Sequence, residues 1–241
     1  MCTLTYIPLG ENNFVFTTNR DEDPKRNALP PDSYFYNNIE YIFPKDKTSQ
    51  GTWMLCSKKY SICLLNGAFA KHKHNPPYKM SRGLLVLEYA NYKSVSEFVL
   101  KFQFQGIEPF TMLVLGYENK LSLEEIRWDG SSIHYKKLDA KKTEIWSSST
   151  LYDKLAQEMR KKWFTDFNIE KDLNSECILR FHKNAGKEDA YNGLVMNRKG
   201  KIKTTSITQI VLDNSEVRMM YEDLDKNEVT ERYFGKEKSL K

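Results

Sequence analysis

Cysteine is scarce: four in 241 residues, Cys2, Cys56, Cys63 and Cys177, with no Cys-x-x-Cys pair. That spacing excludes a disulfide framework and a zinc ribbon, and neither half of a c-type haem attachment signature occurs. Long apolar runs are also lacking. None approaches the roughly 20 residues that span a bilayer. The opening residues lack the basic, apolar, small-residue order of a secretory signal, so a cytoplasmic location is expected. A net charge of +5 is mild and unclustered; it suits an anionic ligand and not the footprint of a nucleic-acid binder. Repeats and low-complexity linkers are absent too. The expected organisation is one domain over residues 1–224, followed by a charged, partly ordered tail over 225–241 in which Tyr233 and Phe234 could dock.

What the sequence does have is concentrated at its start. Cys2 follows Met1 directly, and an initiator methionine is usually removed before so small a side chain. The mature chain is then expected to begin with a thiol and an α-amine on one Cα. A thiol titrates near ~8.5 and an α-amine near ~8, so the neutral amine can take the thiol proton at little cost. Apolar stretches at Thr3 to Pro8 and Phe14 to Thr18, separated by turn residues, form a strand pair. This pair returns Asn19-Arg20-Asp21-Glu22 to the chain's own beginning, where Arg20 can hold a thiolate and Asp21 can orient the amine. The alternative is a small apolar residue at a chain end beside a solvated turn.

The order Met-Cys-Thr-Leu, a strand, Thr18-Asn19-Arg20-Asp21-Glu22, then Arg26, Ala28, Leu29, Pro30 and Pro31 resembles the NRDE family, which includes the Transport and Golgi organisation protein 2 homologues. Gly51-Thr52-Trp53-Met54, Leu64-Leu65-Asn66-Gly67, Ser81-Arg82-Gly83 and Thr205-Ser206-Ile207-Thr208-Gln209 extend the likeness over most of the chain. That family is itself similar to the N-terminal nucleophile (Ntn) hydrolases, in particular the cysteine type of penicillin V acylase and bile salt hydrolase. The resemblance implies catalytic roles for Cys2, Arg20, Asp21 and Asn66, the last as an oxyanion donor after a strand. Asn19 within the motif, His72 as a histidine at the pocket mouth and Ser148 as a hydroxyl donor are the expected substrate contacts. One departure stands out: where many NRDE members carry Ser-Asn, this chain reads Ser147-Ser148-Ser149, and a hydroxyl reaches less far than an amide. On the residues alone, Asn66 reads first as an Asn-Gly turn. His72 and His74 have no Asp or Glu in their loop to complete a metal site, so neither a metal nor a cofactor is expected.

Elsewhere Trp53 to Ser57 and Ser61 to Asn66 read as strands, and Asp23 to Asp32, with three prolines, as a surface loop. Ser81 and Ser94 cap helices. Strands follow at Phe110 to Gly116, Leu121 to Trp128, Ile133 to Lys137 and Glu144 to Ser148, with an Asp129-Gly130 turn. A helix from Leu151 is expected to bury Leu151, Leu155, Met159, Trp163 and Phe167, and a second helix to bury Leu173, Cys177, Ile178 and Phe181. Gly193 to Met196, Ile202 to Leu212 and Glu216 to Tyr221 return to strand character. Hairpin-linked strands segregated from helix pairs make an α+β protein with antiparallel sheets and helices outside. The resemblance sharpens this to a four-layer αββα sandwich. It implies a cysteine amidohydrolase cleaving a carbon–nitrogen amide bond of a small molecule. The alternative is a non-catalytic carrier of a small metabolite, haem- or lipid-related, on the same fold. A scaffold acting through the tail is a third reading, and homo-oligomerisation stays open.

Overall fold

The computed structural model describes residues 3–168 and 173–234. Along the chain the elements are β1 (Thr3–Pro8), β2 (Phe14–Glu22), β3 (Ala28–Tyr36), β4 (Ile39–Asp46), β5 (Met54–Cys56), β6 (Tyr60–Asn66), α1 (Arg82–Glu88) and α2 (Val95–Lys101). Then come β7 (Phe110–Gly116), β8 (Ser122–Trp128), β9 (Ile133–Leu138), β10 (Glu144–Ser147), α3 (Lys154–Phe167), α4 (Ser175–Asn184), β11 (Asn197–Arg198), β12 (Ile202–Asp213), β13 (Glu216–Asp223) and β14 (Glu228–Tyr233).

Two antiparallel sheets result. The first runs β10-β1-β2-β12-β13-β14, with β11 on β12; the second runs in chain order from β3 to β9. Strand alternation decides the layers. On β2, Phe14 and Phe16 enter the core between the sheets with Leu4, Met54, Leu113 and Ile210, while Val15 faces outward to meet Phe164 and Ile178 of α3 and α4. The second sheet's outer face packs Ile62, Met112 and Ile126 against Leu85, Val86 and Phe98 of α1 and α2. The order of layers is therefore αββα. Cys56 and Cys63 lie in the central core as free thiols, and burial pushes Cys63 up to about 12, so both behave as small apolar groups.

Three expectations are corrected. Residues 28–36 are a strand and not a loop: β3 is the edge of its sheet, and its register to β4 shifts between Leu29 and Asp32, which is where Pro30 and Pro31 lie and where missing amide donors cost no ladder bond. Residues 193–196 are bends and irregular backbone, not a strand. On α3 the buried residues are Ala156, Arg160 and Phe164, whereas Leu155 is 72% exposed and Met159 40%. Within the expected tail, β14 pairs with β13 and Phe234 packs against the central core. Among the described residues no helix is long and apolar enough to cross a membrane.

Candidate functional site

The pleat of β2 divides the Asn19-Arg20-Asp21-Glu22 run. Even-numbered residues face the other sheet and odd-numbered ones the helices, so Arg20 and Asp21 leave the strand in opposite directions. Their partners agree: Arg20 Nη2 meets Asp46 Oδ2 at the end of β4 at 2.8 Å, with the guanidinium 4.8 Å from the Trp53 ring, whereas Asp21 meets Tyr152 just before α3. The chain's start is brought to this point. Thr3 pairs with Asn19 on one side and Ser147 on the other, and Thr18 Oγ1 donates to the Thr3 carbonyl at 2.7 Å. Cys2 lies outside the described residues.

On the face between the sheets, the ends of β2, β4 and β6 and the start of α1 surround a cleft of about 130 Å³. Three arginines and three carboxylates line it, Arg20, Arg26 and Arg82 with Glu22, Asp46 and Glu108, beside Trp53 and Asn66. Asp46 is the hub: its Oδ2 also accepts from Arg26 Nε at 2.8 Å, and its Oδ1 accepts from the Ser49 amide at 2.8 Å. Burial opposes ionisation of Asp46, but the Ser49 amide and the Arg26 and Arg20 charges outweigh it and hold the carboxyl below its ordinary value. Across the cleft Glu108 meets Arg82 Nη2 and His72 Nε2, both at 3.0 Å. His72 thus braces a lining residue and does not itself line the cleft. Gly51 crosses Gly83 so closely that a Cβ on Gly51 would stand 2.2 Å from the Gly83 carbonyl carbon, which is how the loop before β5 and the start of α1 close one wall.

Asn66 ends β6 and contributes to the lining, and its side-chain amide makes no hydrogen bond among the described residues. Its carbonyl accepts from Ser148 Oγ at 2.7 Å. Gly67 turns the chain with φ +82°, and a Cβ there would lie 2.4 Å from Ser149 Oγ. Ser148, 1% exposed, spends its proton on Asn66 and accepts from Thr150; it fixes the asparagine and stays behind the cleft wall.

The opposite face of β2 carries a buried polar network. Asp21 Oδ2 accepts from Tyr152 Oη at 2.7 Å and its Oδ1 from Thr204 Oγ1 at 2.5 Å. A register shift between Thr204 and Ser206 turns Thr204 to Asp21 and lets Thr205 Oγ1 accept from Arg20 Nη1 at 3.1 Å. Arg160, with no exposed surface, lies 3.5 Å from the Tyr152 ring centre, donates to the Asn192 and Gly193 carbonyls and bonds Thr3 Oγ1. Asn19 is equally enclosed. Its Nδ2 donates to the His182 and Leu194 carbonyls at 3.1 and 2.9 Å, and its Oδ1 pairs with His182 Nδ1. Of the expected site residues, the cleft therefore gathers Arg20 and Asn66. Asp21 and Asn19 stand behind the sheet, with His72 and Ser148 as supports. Asp46, Glu108, Tyr152 and Arg160 lie outside every sequence motif, whereas Glu22, Arg26, Trp53, Arg82 and Thr205 stand within motifs that gave them no individual role.

Two stacked antiparallel sheets between helix pairs, with the chain's first described strand inside one sheet, define an αββα sandwich. The structure of penicillin V acylase from Agrobacterium tumefaciens shares it, with a TM-score of 0.53 over 98% of this chain and 87% of that one at 9% sequence identity. The likeness is one of fold. By sequence, the chain belongs to the Transport and Golgi organisation 2 family, whose profile matches residues 1–164. No curated protein matches the chain in sequence.

Proposed function

We propose that the protein is an N-terminal cysteine amidohydrolase that forms an acyl-enzyme on Cys2 with a small amide. The observation that carries the reading is the register of β1. Thr3, bonded to Cys2 and so within about 3.8 Å of it between Cα atoms, pairs with Asn19, and the next residue of β2 is Arg20, whose side chain faces the cleft that Asn66 lines. In this reading, removal of Met1 frees the amine, which takes the thiol proton. Sulfur then bonds to the amide carbon, and Asn66 donates to the oxyanion. The collapsing intermediate expels the amine product, which recovers the proton, and water cleaves the thioester. Arg20 favours the thiolate, and Asp21, held by Tyr152 and Thr204, orients the amine. A cleft of about 130 Å³ lined by six charged side chains suits a short polar acyl group better than a lipid chain.

Intact mass of the purified protein reports Met1 removal, and incubation with a β-lactone reports acyl transfer. The expected result is one acyl adduct, mapped to Cys2, absent in Cys2→Ala and in a form that keeps Met1. Asn66→Ala should acylate about 100-fold more slowly, as loss of one oxyanion donor does. A processed, folded protein that takes up no acyl group would end the proposal; a carrier would still bind its ligand with Cys2→Ala in place.

A further inference from the structure

A second cleft opens at the other end of the molecule. β6 runs from Tyr60 at this end to Asn66 at the first cleft, about 20 Å away at strand rise. Its volume, about 610 Å³, is that of a small-molecule site. Tyrosine rings form its floor: Tyr41 and Tyr60 have centroids 6.1 Å apart, and Tyr60 meets Tyr89 edge-on at 5.3 Å and 77°. The hydroxyls of these three residues are not satisfied by one another. Tyr41 and Tyr60 share a single hydrogen bond of 2.9 Å, which uses one proton of two. Tyr89 is only 4% exposed, yet its hydroxyl makes no hydrogen bond among the described residues and is not sealed from the cleft. Two phenolic protons are thus left without a protein acceptor among the described residues at the aromatic floor of an open cleft.

The charges at the rim give the acceptor its sign. Three lysines and two carboxylates line the cleft: Glu118 is paired with Lys59 at 2.6 Å, and Glu124 keeps its charge while accepting from the Tyr135 hydroxyl. Of the other two lysines, Lys93 and Lys120, neither has an ion-pair partner among the described residues. Ring edges and faces take a flat apolar body; unspent O–H donors and uncommitted ammonium groups take anionic oxygens. We propose that this cleft is a second binding site, separate from the first, for a small planar aromatic acid.

Calorimetric titration of the full chain with 2-naphthoate tests it, beside 2-naphthamide, which keeps the rings and loses the charge, and cyclohexanecarboxylate, which keeps the charge and loses the aromatic body. Saturable binding of 2-naphthoate is expected, at least tenfold tighter than either comparator. Tyr89→Phe keeps the ring and should weaken binding about tenfold; Lys93→Gln with Lys120→Gln should remove most of its salt dependence. Asn66→Ala should bind as the parent does, which separates this site from the first cleft. If Tyr89→Phe lowers the unfolding temperature, Tyr60→Phe carries the same comparison. Absence of saturable binding at millimolar ligand, equal affinity for the naphthamide, or hydroxyl-deleted variants that bind unchanged would each overturn the proposal.

Discussion

Two helix pairs cover two sheets in this protein, and the contacts beneath them differ in kind. Under α1 and α2 the second sheet meets an aromatic layer: Phe98 lies 5.1 Å from Phe102 and 5.4 Å from both Tyr89 and Phe104, and Phe104 stacks on Trp128. Under α3 and α4 an apolar cluster of Val15, Phe164, Ile178 and Phe181 is joined by buried polar groups, Asn19 and Asp21 on the sheet and Arg160 and His182 on the helices, each held by hydrogen bonds. Apolar burial is non-directional and scales with area; a closed polar network is directional and admits one arrangement. The second kind occurs behind the strand that carries Arg20 and Asp21, where one geometry has to be held.

The sharpest way to break this contrast is to remove mass from each layer and read stability and chemistry separately. Phe98→Ala should cost about 3–5 kcal/mol in urea unfolding, the usual consequence of emptying a buried phenyl site. The rate of Cys2 acylation by a β-lactone, measured where the variant stays folded, should not change. A fall in that rate equal to the one seen from the polar layer would show that both layers position the site.

Tyr152→Phe is the counterpart with a smaller energy and the opposite division. It removes one donor to a buried carboxylate, about 1.5–3 kcal/mol for a hydrogen bond to a charged group, and leaves the ring on which Arg160 rests. Acylation of Cys2 should slow about tenfold or more, because Asp21 loses the bond that aims it. A variant that unfolds at lower urea yet acylates at the parent rate would reduce the network to a structural role.

The difference between the layers also decides what could be read from the sequence. Local chemistry was legible: Ser81 and Ser94 cap their helices as expected, accepting from the Leu84 and Glu97 amides, and 110–116 is a strand with the expected bounds. One edge of the aromatic layer shows in the sequence too, since Val95 and Phe98 stand at helical spacing and are buried. The polar layer does not. Of the apolar residues expected on one face here, Leu151, Trp163 and Phe167 do pack while Leu155 and Met159 are exposed, and the most buried face of α3 holds Arg160, which composition assigns to solvent. Arg20 could be singled out because it sits in a local run. Its partner Asp46 could not, because that contact crosses from one sheet to the other, and no local pattern records a pairing between sheets.

The polar layer should also respond to pH where the aromatic one does not. Asn19 Nδ2 donates to two carbonyls, which leaves Oδ1 to accept from His182 Nδ1–H; His182 Nε2 then accepts from Thr5 Oγ1 at 2.8 Å, so the ring is held neutral. Burial, with the Arg160 charge in addition, brings its pKa from 6.5 down to about 3. Between those values the unfolded chain binds a proton that the folded chain refuses. The stabilisation is therefore complete above pH 6.5 and is lost as pH falls towards 3, by about 2 kcal/mol between pH 7 and 5. Asp46, whose carboxyl is held below its ordinary value, also loses stabilisation in acid, but lower, as pH falls below the carboxylate range. Urea unfolding at pH 7, 6 and 5 should show the parent losing stability over that interval and His182→Gln losing distinctly less, while Phe98→Ala, weaker throughout, keeps the parent's slope. Equal slopes in the parent and His182→Gln would mean that the ring is not held neutral, and that this layer is less closed than its hydrogen bonds indicate.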